Sequence, residues 1–183
     1  VNNRTSNIIS RSFYARDTVT VARELLGKLL VYGGTSGIII ETEAYLGLGD
    51  LASHSAVGIT PRTKVIFSEP GHAYVYLNYG IHECLNIVAE PDGVAGCVLI
   101  RALKPVDGIE LMQIRRKGAK DLTGGPGKLT QALAITRALN GADATVGPLT
   151  VNDVGLTPGV RVTKRIGITK SPELPLRFLA VNL

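Results

Sequence analysis

Apolar and polar positions change their period several times along the chain, and each change marks an element. Residues 1–16 follow neither the helical nor the strand period and read as an irregular arm. Asp17 can cap a helix over 18–26, stopped at Gly27. Strands follow at 28–32 and 37–45, joined as a hairpin through Gly33-Gly34-Thr35-Ser36. Thr60-Pro61 starts a short helix with proline at its first position. Three more strands are predicted at 73–78, 82–89 and 96–103. Asp107 can cap a helix that runs to 117 and ends at Gly118, and a longer helix over 126–139 ends at Asn140-Gly141. The tail returns to strand-like segments at 149–152, 161–169 and 176–181. Hairpin-linked strands with helices in blocks predict an α+β fold, a curved and mostly antiparallel sheet with flanking helices.

Composition narrows this picture. The chain has 183 residues, 45% of them hydrophobic, with a mean hydropathy of +0.20. That supports one core and one domain over 1–183, with no linker and no internal repeat. No apolar run approaches the roughly 20 residues that span a bilayer. No signal-peptide pattern opens the chain, and its start at Val1 rather than methionine is expected of a trimmed or processed end. Two cysteines, Cys84 and Cys97, cannot form a disulfide framework and suggest a reducing compartment.

The net charge is +5, unevenly spread. Residues 41–92 hold seven acids against two bases, a net of −5, and residues 101–183 hold thirteen bases against six acids, a net of +7. A basic surface around a smaller acidic zone suits a polyanion binder that works with carboxylates, or simply a basic domain with solvated lysines.

Three segments carry candidate chemistry. In GIIIETEAY, strand alternation places Ile39, Glu41, Glu43 and Tyr45 on one face, with the two carboxylates about 7 Å apart. That suits a general base beside a polar neighbour, or an edge strand with two solvated acids. A glycine-containing turn then leads to His54. In AYVYLNYGIHECLN, Tyr79-Gly80 looks like a hairpin tip; a ring there either folds back on its sheet or is offered to a partner. If Tyr76 and Asn86 share a face, that hairpin needs an odd loop or a bulge, pairing 76 with 84 and 74 with 86. In CVLIRAL, Arg101 lies in an apolar strand and needs an anionic partner. GGPGKLT fails as a phosphate loop because 122 and 129 are both leucine, although Lys128 and the amides of a helix start could still hold one phosphate. The three histidines and two cysteines have no zinc-ligand spacing.

ETEAYLG, the following His54, YVYLNYG, Asn86, LIRALKP, GGPGKLTQALAI and RIGI followed by PLRF stand in an order and spacing that resembles the alkyladenine (3-methyladenine) DNA glycosylase family. The resemblance covers nearly the whole chain from Asp17. It implies that family's α+β fold rather than a helix-hairpin-helix fold. It implies a monofunctional base-excision-repair enzyme that flips alkylated or deaminated purines out of duplex DNA. The N-glycosidic bond is then hydrolysed, with no lyase step and no cofactor or metal. Carried over by residue, Glu43 matches the general base, Arg101 helps to hold its water, and the Ile166 carbonyl is a third water contact. Tyr45, His54 and Tyr76 match the base pocket, Asn86 the side chain that excludes guanine, and Tyr79 the wedge. Lys128, Gly127, Thr60 and Arg62 match phosphate contacts. The implied partner is double-stranded DNA with damaged purines, met by a monomer away from membranes. It would lie in the cytoplasm with the nucleoid in a bacterium, or in the nucleus of a eukaryote. Two other readings stand beside it: a catalytically idle module that binds damaged DNA, and an O-glycosidase that uses Glu41 and Glu43 as its acid and base.

Overall fold

The computed structural model describes residues 7–47 and 49–183. Its centre is an eight-stranded antiparallel sheet: β1 (Leu29–Tyr32), β2 (Thr35–Leu46), β3 (Ala73–Asn78), β4 (His82–Val88), β5 (Gly96–Asp107), β6 (Thr150–Asn152), β7 (Gly159–Thr163) and β8 (Arg177–Val181). The main order is β3-β4-β5-β2-β1-β6, and β8 pairs with both β2 and β7. Among the described residues four helices flank the sheet: α1 (Arg11–Tyr14), α2 (Thr18–Glu24), α3 (Ile109–Arg115) and α4 (Pro126–Leu133). The α+β architecture is as expected, and none of the described helices is long and apolar enough to cross a membrane.

The core lies between one face of the sheet and the helices. Val75, Leu85, Ile87, Val98 and Ile100 join Val21, Leu25, Leu129 and Leu133 in one buried cluster. The alternate positions of the same strands, Tyr74, Val88 and Cys97, form a second cluster with Ile66 on the other face. Residues along a strand point to opposite faces in turn, so one set of strands serves both a core and a pocket.

Several boundaries move for identifiable reasons. Of the expected irregular arm, residues 1–6 lie outside the described residues. Residues 11–14 are helical, and Tyr14 is wholly buried. The β1–β2 connection is a two-residue turn, because Gly33 and Gly34 both take positive φ (59° and 76°) and Tyr32 pairs directly with Thr35. Asp17 caps α2 as expected, accepting the Thr20 amide at 2.8 Å. Asp107 does not cap α3: it ends β5, its carboxylate taken by the Ser36 hydroxyl, and Gly108 is the residue before the helix. The helix expected over 126–139 stops at Leu133, where Ala134 turns left-handed (φ 58°), and only a short 3-10 turn follows at Arg137–Leu139. The helix expected at Thr60-Pro61 is a turn that leads into a 3-10 segment at Lys64–Phe67. The strand expected over 161–169 ends at Thr163, which leaves 164–176 as a loop.

Strict alternation also fails within β2. Its register against β5 shifts on both sides of Glu41, with Ile40 and Arg101 left out of the pairing. Ile39 therefore faces the core with Ala44, not the pocket with Glu43 and Tyr45. Bulges of this kind aim side chains next to functional sites.

Candidate active site

On the sheet face away from the main helices is a cavity of about 330 Å³, at the lower end of the range that takes small molecules. Its lining includes Tyr45, His54, Tyr76, Asn86, Arg101, Tyr79 and Ile166. Thus seven of the residues singled out in the sequence, from four strands and three connecting segments, meet at one place.

The hairpin register explains why Tyr76 and Asn86 can share it. Tyr74 pairs with Asn86, Tyr76 with Cys84 and Asn78 with His82, leaving an odd loop of residues 79–81. Tyr79 and Gly80 both have positive φ, and the Ile81 amide closes the turn onto the Asn78 carbonyl at 3.0 Å. Tyr79 is 83% exposed, so it does not fold back on its own sheet.

Glu43 has no exposed surface and receives three donors. The Ile166 amide meets Oε1 at 3.0 Å; the Tyr45 hydroxyl (2.9 Å) and Arg101 Nη1 (3.2 Å) meet Oε2. All three of these partners line the cavity. The Ile166 backbone thus touches the carboxylate directly through its amide. Glu41 lies on the same side but is occupied: Oε1 accepts both Arg101 Nε (2.9 Å) and Arg177 Nε (2.7 Å). The bulge at Arg101 lets one guanidinium bridge the two carboxylates.

Beside Arg101 the walls are mainly aromatic. His54 meets Tyr76 edge-on at 4.6 Å between centroids, and its Nδ1 shares a 3.0 Å hydrogen bond with the Tyr74 hydroxyl. Burial, then the nearby Arg62 charge, lowers the His54 pKa below the usual histidine value, which keeps the ring neutral at pH 7. Burial raises the phenols of Tyr45 and Tyr76, the first also through Glu43 and the second through Cys84, and pushes the Cys97 thiol up to about 12. Asn86 is buried, donates Nδ2 to the Tyr74 carbonyl at 3.1 Å, and lies within 3.9 Å of Cys97 Sγ through its oxygen.

The expected phosphate contacts lie outside the cavity wall. Arg62 is exposed, with its guanidinium 5.4 Å from the centre of the Tyr76 ring. Thr60 is engaged in its own turn, exchanging hydrogen bonds with Thr63. Lys128 is half-exposed and paired with Asp121 at 2.7 Å. Gly127 packs on His82, where a Cβ would come within 2.7 Å of the ring, so any larger residue would force the histidine to move. Pro126, at the start of α4, does line the cavity, as does Asn78.

Sequence reading assigned no site role to Tyr74, Cys84 or Cys97, although all three line the cavity, and it missed the Asp50–Arg165 ion pair altogether. Neither side chain of that pair is exposed, and its bonds are 2.6 and 2.8 Å. Burial alone would raise the Asp50 carboxyl, but the Arg165 bonds and charge, with the Leu46 and Ala52 amides, hold it below the usual carboxylate range. Among the described residues no group of three or more His, Cys, Asp or Glu could hold a metal ion.

The methylpurine-DNA glycosylase (MPG) family model matches residues 12–182. A relative from Methanoculleus marisnigri is 52% identical over 178 residues, covering 91% of this chain and 92% of its own. One from Rhodopseudomonas palustris is 48% identical over 173 residues (93% and 84%). One from Methanocella arvoryzae is 47% identical over 178 residues (93% and 89%). Each bears the name "Putative 3-methyladenine DNA glycosylase".

Proposed function

The chain belongs to the methylpurine-DNA glycosylase family, and from that premise we propose that it removes damaged purines from duplex DNA by hydrolysing the N-glycosidic bond. The observation that carries this reading is the setting of Glu43: a buried carboxylate whose three donors all line an aromatic pocket.

The reaction needs a base held out of the stack, a water beside C1′, and an anion near the sugar as the purine leaves. A nucleotide inside a duplex cannot reach a pocket, so it is flipped. Tyr79, exposed at a tight tip on the pocket rim, fills the space that the nucleotide vacates. Tyr45, Tyr76 and His54 receive the base; aromatic faces favour a cationic ring, and an alkylated purine carries that charge. Such a purine departs neutral and needs no acid, which suits lining residues whose phenols, thiols and histidine stay uncharged. Glu43 takes a proton from the attacking water and stabilises the positive charge that develops on the sugar. The water enters where Ile166, 46% exposed, covers the carboxylate. Asn86 rejects guanine, and Arg62 and Lys128 meet phosphates on either side.

The two other readings have less support. An O-glycosidase needs carboxyls on opposite sides of its bond, whereas Glu41 and Glu43 share one strand and one arginine. An idle binding module has no use for a buried carboxylate with three donors in its pocket. Incubation with alkylated duplex DNA, followed by chromatography of released bases, tests the proposal. Free alkylpurine, lost in Glu43→Gln, is the expected result; binding without release in the wild type would leave the idle module. A panel of duplexes with one lesion each then ranks 3-methyladenine, 7-methylguanine, hypoxanthine and ethenoadenine.

A further inference from the structure

Asp50 and Arg165 take no part in the chemistry proposed above, yet they form the most buried ion pair among the described residues. Resting on the glycosylase reading of the pocket, we infer that this pair is a positioning clamp. It holds the Ile166 amide and the Tyr45 ring against Glu43, and it governs the rate of base release rather than the stability of the fold.

The hydrogen bonds show what is clamped. Asp50 Oδ1 accepts from Arg165 Nη2 (2.8 Å) and the Ala52 amide (3.1 Å); Oδ2 accepts from Arg165 Nη1 (2.6 Å) and the Leu46 amide (3.0 Å). Arg165 Nη1 also donates to the Ala44 carbonyl at 3.0 Å. One guanidinium thus joins the end of β2, the turn through Asp50 and the loop that begins at Lys164.

Each joined segment carries a group of the pocket. The peptide after Arg165 supplies the Ile166 amide to Glu43 Oε1. The guanidinium lies 4.7 Å from the centre of the Tyr45 ring, whose hydroxyl meets Glu43 Oε2. The turn held by Asp50 continues through Ser53, whose amide bonds the Asp50 carbonyl, directly into His54. Two of the three donors on Glu43 and two of the aromatic walls therefore depend on the pair. Beyond it the loop is exposed at Ile166, and Gly167 takes a positive φ.

Stability alone does not account for such a pair. Burying two charges is costly, and apolar side chains of similar volume often serve a fold as well or better. Apolar groups cannot supply a planar fork that bonds a carboxylate on one edge and a carbonyl on the other. Lysine keeps the charge but loses that fork and its stacking on the ring.

The test uses Arg165→Lys and the double variant Asp50→Leu/Arg165→Met. Base release from alkylated duplex is followed at saturating enzyme, so that rate is separated from binding. Melting temperature and amide hydrogen exchange at Ile166 are measured alongside. Both variants should lose roughly ten- to a hundredfold in release rate at saturating enzyme, with melting temperature close to wild type and faster exchange at Ile166. A double variant that releases base at the wild-type rate, or Ile166 protection unchanged in both, overturns the clamp. If the wild type itself releases no base, the glycosylase reading fails. Exchange at Ile166 then still decides the clamp: faster exchange at unchanged melting temperature upholds it, and unchanged exchange sinks it. Should the double variant not fold, Arg165→Lys carries the same three measurements.

Discussion

Tyr79→Gly should move stability and DNA binding in opposite directions. Tyr79 sits at φ 49°, a left-handed conformation that costs an L-residue about 1–2 kcal/mol. Its ring is 83% exposed, so no core contact offsets that cost. Glycine removes the strain but adds about 0.4–1 kcal/mol of entropy to the unfolded chain. The net effect ranges from none to about 1.5 kcal/mol in favour of the fold. For a chain of this size 1 kcal/mol shifts the melting temperature by about 2–4 °C, so calorimetry should show no loss and up to a few degrees of gain. Tyr79→Ala keeps the strain and should not gain. Against DNA, losing one base–aromatic stack removes about 1–3 kcal/mol, so both variants should bind a lesion duplex about five- to a hundredfold more weakly. Fluorescence anisotropy with duplex and single-stranded oligonucleotides checks this. The loss should nearly vanish on single strands, where nothing is pushed out. A melting temperature lowered by more than about 5 °C would show that the ring belongs to the core. Equal losses on both substrates would place it on the target base, and no loss on duplex would end the wedge assignment.

Glu43→Gln should keep lesion binding and lose excision by roughly a hundredfold or more, the scale of acid–base loss. Glu41→Gln, at a carboxylate already held by Arg101 and Arg177, should cost much less, and single-turnover rates in the reverse order would reject the assignment. The His54 ring should titrate by NMR below the usual value of about 6.5, and Arg62→Ala should move it back upward; no movement would remove Arg62 as a cause. Because the folded His54 resists a proton that the unfolded chain accepts, that group should make stability decline as pH falls from about 6.5. Asp50 acts lower on the scale: its folded pKa is depressed, so its contribution is complete above the unfolded value of about 3.9 and is lost as pH falls through the folded one. Urea midpoints should place Asp50→Asn, which strands the buried Arg165 charge without its partner as the double variant does not, about 3–5 kcal/mol below wild type at neutral pH, a gap that persists to pH 5 and narrows below 4. A gap that narrows already above pH 5 would contradict that order.

Local chemistry made most elements legible. Asp17 before an apolar run is a helix start that needs no tertiary help, and it caps α2 as read. Gly33-Gly34 marked a turn, though its two-residue form follows only once Tyr32 is seen to pair with Thr35. Asp107 offered an equally good cap signal and misled, because Ser36, 71 positions earlier, takes its carboxylate and draws the residue into β5. The helix after Pro126 was read too long for a similar reason. Ala134 carries no breaking signal, yet the chain turns left-handed there and Ile135 is buried in the core.

The site divides along the same line. Tyr74, Tyr76, Cys84 and Asn86 follow from one strand parity and one odd loop, so a single register argument places them together. Glu41 and Glu43 have the same parity, and nothing local separates them. They are separated by what reaches them: Arg101 and Arg177 for one, and for the other Arg101 with Tyr45 and the Ile166 amide. Arg177 and Ile166 come from the far end of the chain. The Asp50–Arg165 pair was the least legible, since its partners lie 115 residues apart and each looks ordinary where it stands, an acid in a glycine turn and a base among bases. Such a pair is built by the closing of the sheet. It acts where β2, its following turn and the last loop meet, so residues without local pattern set the geometry around a carboxylate that local pattern did reveal.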